Sequence, residues 1–127
     1  MMTTIARILL GLIFLVIGLN GFLFFIPTPL ITGPAATFFN LMISSHYSVL
    51  VFGVQVIAAI MLLTDQFVPL ALVALAAVLA NVLDFHITMQ PAGLPLPLFT
   101  TLLWFVVAWP LRSHFALLFA RRVAARS

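Results

Sequence analysis

Four stretches of this chain, 5–26, 47–64, 67–88 and 96–119, run for about twenty residues each, the length that crosses a hydrocarbon core. Together they hold one acidic side chain, Asp84. Hydrophobic residues make up 65% of the chain and charged residues 6%, against about 45–50% and 25% in soluble domains. So little polar surface cannot clothe a core of that size in water. A bilayer removes the requirement, because lipid tails solvate apolar side chains. Hydrocarbon then leaves the backbone two choices, since unpaired N–H and C=O groups are costly there: helices or a closed barrel. The runs are continuously apolar and lack the alternation of a barrel strand. The expected fold is therefore all-α, a transmembrane four-helix bundle with short loops, forming one integral membrane domain over 1–127. The opening run is longer than the apolar part of a signal peptide and no small-residue cleavage site follows it, so it is expected to stay as a span.

The breaks between runs agree with this reading. Pro27, Pro29, Gly33 and Pro34 end the first span. Asp65 and Gln66 make a tight turn, with Pro69 tolerated in the first turn of the next helix. Pro91, Gly93, Pro95 and Pro97 form the third connection, and Pro110 inside the last run predicts a kink or an early end. The first connection is the longest. Its stretch 35–45, carrying Phe38, Phe39 and Met42, is expected as a short interfacial helix, the alternative being an irregular apolar loop.

Charge sets the expected orientation. All five positive residues are arginines: Arg7 flanking the first span near its start, and Arg112, Arg121, Arg122 and Arg126 around and beyond the end of the fourth. The connections after spans one and three carry no Lys or Arg. The positive-inside rule then places both termini in the cytoplasm of, most simply, a bacterial inner membrane. No basic stripe interleaves with exposed aromatics, so nucleic acid is not an expected partner. The lipid bilayer is one, with the terminal arginines meeting anionic headgroups.

Polar side chains within the spans are few: Asn20 in span one, Gln55 in span two, and Asn81, Asp84 and His86 in span three. With termini inside, all five fall at the midplane or in the outer half. Ala77, Asn81, Asp84 and Thr88 follow i, i+4, i+7, i+11 and share one helix face. His86 stands about 200° around from Asp84 and is expected to point elsewhere. Two readings of the five stay open. One is hydrogen bonding between helices. The other is a polar ligand pocket, because intramembrane ionisable groups are functional candidates by default. His46 and His86 flank the outer side, where imidazoles suit a metal, a haem or a quinone carbonyl, but a lone interfacial histidine is more often only interfacial. No metal-ligand spacing, nucleotide loop, Ser/His/Asp set or carboxylate pair is present, and without cysteine there is no thiol chemistry. A stand-alone enzyme is not expected.

The opening "ARILLGLIFLVIGLNGFLFFIP", with Gly11, Gly18, Asn20 and Gly21, resembles the first helix of DoxX-like membrane proteins. "ANVLDFHITMQPAGLP", with Asn81, His86, Pro91, Ala92, Gly93 and Leu94, is similar to their third helix and the connection after it. The resemblance implies a four-helix inner-membrane protein. Founding members of the family are linked to quinone-coupled thiosulfate oxidation and others to oxidative-stress complexes. Many relatives carry Glu in the second helix where this chain has Gln55, which removes a titratable group. The expectation drawn from residues and resemblance together is a quinone- or lipid-binding subunit working with membrane redox partner proteins. Quinone is the cofactor considered, although no motif demands it. A small transporter or efflux component is one alternative. A non-catalytic assembly partner is the other, with Gly11, Gly18, Ala76 and Ala80 mediating contacts between helices in an oligomer or complex.

Overall fold

The computed structural model describes residues 1–25 and 31–123. Six α-helices follow one another among them: α1 (Met2–Leu23), α2 (Gly33–Ser44), α3 (Tyr47–Leu63), α4 (Val68–Thr88), α5 (Pro95–Ala108) and α6 (Arg112–Ala116). No strand occurs among the described residues. The expected all-α helical bundle is the observed class. The last residue of the first expected span, Ile26, its stop signals Pro27 and Pro29, and Arg126 lie outside the described residues.

Three helical stretches are long and apolar enough to cross a membrane: Met2–Leu23, Val68–Thr88 and Pro95–Phe119. They make the chain an integral membrane protein. The second expected span, α3, is shorter at 17 residues, which reaches about 25 Å at 1.5 Å per residue. It does not gain length from α2, because α2 and α3 meet at a bend of 86°. The bend sits at His46, whose φ of 64° is left-handed. The connecting helix expected over 35–45 forms as α2, starting two residues earlier behind Pro34 in its first turn.

α1 and α3 pack antiparallel, and glycines set their separation. A Cβ on Gly18 would meet Val56 Cγ2 at 2.8 Å and the Phe52 carbonyl oxygen at 3.2 Å, and one on Gly21 would meet the Phe52 ring at 2.2 Å. Gly11 faces Leu63 in the same way. These small residues bring the two backbones together, as in other membrane helix pairs. Gly11 and Gly18, considered above as contacts to a partner, are thus occupied inside the chain.

α4 follows α3 through the turn at Asp65, where Asp65 (φ 56°) and Phe67 (φ 53°) are both left-handed. α5 returns beside α4, tied by the Trp104 indole N–H donating to the Leu72 carbonyl at 2.9 Å. Pro110 interrupts the last span as expected. α5 ends at Ala108, a 3-10 turn carries Trp109–Leu111, and α6 continues. Proline lacks the N–H for the next helical bond and crowds the preceding turn.

The core lies toward the end of the bundle that holds the first residues of α1 and the last turns of the chain, here called the terminal half. Leu10, Leu62, Leu72, Leu75 and Val107 are fully buried there. On α4 the buried residues are Val68, Ala71, Leu72, Leu75 and Leu79, one stripe of helical period. The stripe stops at Leu79. Every strongly polar residue of α4 comes after it.

Candidate functional site

Beyond Leu79 the helices part around a cavity of about 960 Å³, at the upper end of the range for small-molecule sites. Phe14 and Ile17 of α1, α3 from Tyr47 to Gln55, the far half of α4, and Leu96, Pro97 and Thr100 of α5 form its walls. α2 lies across it and contributes Phe38, Phe39 and Met42. The 86° bend explains that placement, since a straight α2–α3 helix would carry these side chains away from the bundle. Phe38 meets Phe85 of α4 at 5.5 Å between ring centroids, a separation favourable for tilted aromatic pairs.

Four of the five residues singled out from the sequence, Gln55, Asn81, Asp84 and His86, line this cavity. The fifth, Asn20, is not among its lining residues. It is half-buried near the end of α1, where its carbonyl accepts the Phe24 N–H at 2.9 Å.

Gln55 is the most enclosed of the four, 3% exposed at the middle of α3. Among the described residues its amide makes no hydrogen bond with the protein, and the cavity is the space it borders. No buried side-chain polar atom among the described residues is left without a partner, so the Gln55 amide reaches the cavity space, where a ligand polar group can meet it.

Asn81 donates from Nδ2 to the Ala77 carbonyl at 2.9 Å, keeping its Oδ1 and a second N–H in hand. The Thr88 hydroxyl donates to the Asp84 carbonyl at 2.7 Å. The stripe Ala77, Asn81, Asp84, Thr88 shares one face as its spacing requires, and the face is exposed at the rim of the cavity. Hydrogen bonds from Asp84 to Asn81, Gln55 or Asn20, one of the two readings left open, do not form between described side chains. Each polar group of the stripe that is bonded serves its own helix.

His86 corrects an expectation. It stands on a different face of α4 from Asp84, yet both border the same space, because the cavity wraps around the far half of the helix. The ring is fixed on three sides. Its Nδ1 lies 2.8 Å from the Val82 carbonyl. A carbonyl only accepts, so Nδ1 carries the proton and a neutral ring keeps the Nε2 lone pair. Phe85 packs edge-on at 5.2 Å. Gly93 closes the third side, where an added Cβ would lie 2.6 Å from Cδ2 and 2.8 Å from Nε2. Gly93 in "PAGL" is therefore the residue that lets the connection between α4 and α5 approach the imidazole. His46 is exposed at the α2–α3 bend and does not line the cavity. Among the described residues no three His, Asp or Glu side chains gather as a metal ion would require.

The arrangement offers hydrogen-bond donors at Gln55 and Asn81 and acceptors at Asp84 and His86 on otherwise aromatic and aliphatic walls. Such a surface holds a molecule with an apolar body and a small polar head that both gives and takes hydrogen bonds. The aromatic lining from α2 was not singled out as part of a site in the sequence, because nothing there places 38–42 over the bundle. No family model, curated protein or solved structure matches the chain.

Proposed function

We propose that the chain is a DoxX-like subunit of a membrane redox complex that binds a quinone or a lipid of similar shape in the cavity of its far half. The carrying observation is the enclosed side chain of Gln55, 3% exposed, which together with Asn81, Asp84 and His86 lines an otherwise apolar cavity of about 960 Å³. A quinone carbonyl accepts from the Gln55 and Asn81 N–H groups. A hydroquinone hydroxyl donates to His86 Nε2 or Asp84. Both redox forms therefore find partners in the same walls. The protein supplies orientation, and the electrons pass between the quinone and a partner protein. The DoxX-like assignment rests on the two sequence segments given above.

In this reading the termini face the cytoplasm of a bacterial inner membrane, the arginines anchor that side, and the cavity opens in the outer half. Ala76, Ala80, Asn81 and Asp84 are exposed on α4, and a partner helix covering them would remove polar groups from lipid. That favours a subunit over a stand-alone carrier.

A titration with a short-chain quinone, followed by equilibrium dialysis of the detergent-solubilised protein, tests the proposal. Saturable binding is expected, weakened by Ala74→Phe, which fills the cavity from α4. No saturable binding, or equal binding by the filled variant, would overturn it.

A further inference from the structure

We propose that a second cavity, at the terminal end of the bundle, seats a phospholipid headgroup bearing both a phosphate and a primary ammonium, the phosphoethanolamine class. It measures about 430 Å³, and Thr3, Thr4, Arg7, Asp65, Val107 and His114 are among its walls. Its charged groups play no part in the far cavity.

Charge selects the occupant. Arg7 is 16% exposed and Asp65 is 72% exposed, with Arg7 Nε 3.8 Å from Asp65 Oδ1. That separation is an ion pair but too long for a hydrogen bond. Arg7 Nη1 donates to the Leu62 carbonyl, leaving guanidinium N–H groups for a further acceptor. The Asp65 carboxylate keeps its acceptor capacity, and the Thr3 and Thr4 hydroxyls add donors beside the positive end of α1, whose first turn holds no acid. A ligand with phosphate alone meets the Asp65 carboxylate. A ligand with a cation alone meets the Arg7 guanidinium. A headgroup carrying both satisfies the two, phosphate toward Arg7 and His114, ammonium toward Asp65. A trimethylated ammonium has no N–H to give the carboxylate, so the site discriminates against phosphocholine. Exposed Phe67 and half-buried Leu111 continue the wall for the glycerol and acyl portions.

The test is native mass spectrometry of the full chain in mild detergent. An equal mixture of phosphatidylethanolamine, phosphatidylcholine and phosphatidylglycerol with identical acyl chains is added. Phosphatidylethanolamine is expected to be retained about threefold over each of the others, the scale of an exposed ion pair. Asp65→Asn is expected to remove its advantage over phosphatidylglycerol. Asparagine tolerates the left-handed backbone of that turn, and an unchanged unfolding temperature is expected. Equal retention of the three lipids by the wild-type protein overturns the proposal, whatever the variant does. So does an ethanolamine preference that survives Asp65→Asn. Soluble phosphoethanolamine is expected to displace the lipid only in large excess, and displacement at matched concentration would assign the site to a free phosphate ester instead.

Discussion

The two halves of the bundle are built from the same apolar alphabet and do different things with it. In the terminal half, Leu10, Leu62, Leu72, Leu75 and Val107 interdigitate and are fully buried. In the far half α1 and α3 stay in close contact at Gly18 and Gly21, but the bundle opens around about 960 Å³ of space, and α4 contributes no buried residue after Leu79. Hydrophobicity therefore does not distinguish a core from a binding cavity in this protein. The difference lies in where the small residues end and the bulky and polar ones begin. Alanines 58, 59 and 71 let the terminal half close, while Phe85 and the aromatic residues of α2 line the open space of the far half.

The largest expected effect breaks the comparison directly. Leu75→Ala is expected to lower stability by about 2–5 kcal/mol, because the surrounding helices cannot fill the void. The same truncation in the far half, Leu50→Ala at a largely exposed position bordering the cavity, is expected to stay within about 0.5 kcal/mol. Unfolding in mixed micelles reads both, and equal losses would show that the two halves are packed alike. Gly18→Ala comes next. Its new methyl group meets the α3 backbone as well as Val56, and a loss of about 1–3 kcal/mol is expected from overpacking.

Gln55→Leu sharpens the contrast from the other side. Removing an amide with no protein partner is expected to leave stability unchanged or slightly raised. Quinone affinity is expected to fall roughly two- to tenfold, the worth of one hydrogen bond, as read by the same dialysis titration. A stability loss as large as that of Leu75→Ala would make Gln55 a core residue. Asp65→Asn is expected to leave the unfolding temperature unchanged, because an exposed ion pair contributes little. A drop in unfolding temperature would mean that the Arg7–Asp65 pair holds the α3–α4 turn together.

The helices were legible in the sequence because backbone physics in lipid leaves few alternatives. Pro110 and the Asp65 turn marked their breaks directly. The 86° bend was not, since it occurs at His46 between Ser45 and Tyr47, with no glycine or proline to announce it. Gln55, Asn81, Asp84 and His86 could be picked out as polar residues in apolar runs. Whether they met was a matter of helix separation, which the sequence does not carry. His86 shows the limit best: helical angle alone turned it away from Asp84, and only a cavity wide enough to wrap around α4 brings both to one space. The pairing of Arg7 with Asp65 depends on the antiparallel register of α1 and α3, set by glycines that one chain alone does not identify as facing α3.

Photolabelling tests the central claim most directly. The protein in nanodiscs is irradiated with an azido-quinone and the labelled peptides are mapped. The label is expected on α2 around Phe38–Met42 and on the far half of α4 around Phe85, with competition by unlabelled quinone and loss of labelling in Ala74→Phe. Labels spread evenly over the lipid-facing surfaces of α1, α4 and α5, or concentrated in the terminal half, would contradict a quinone site in the cavity.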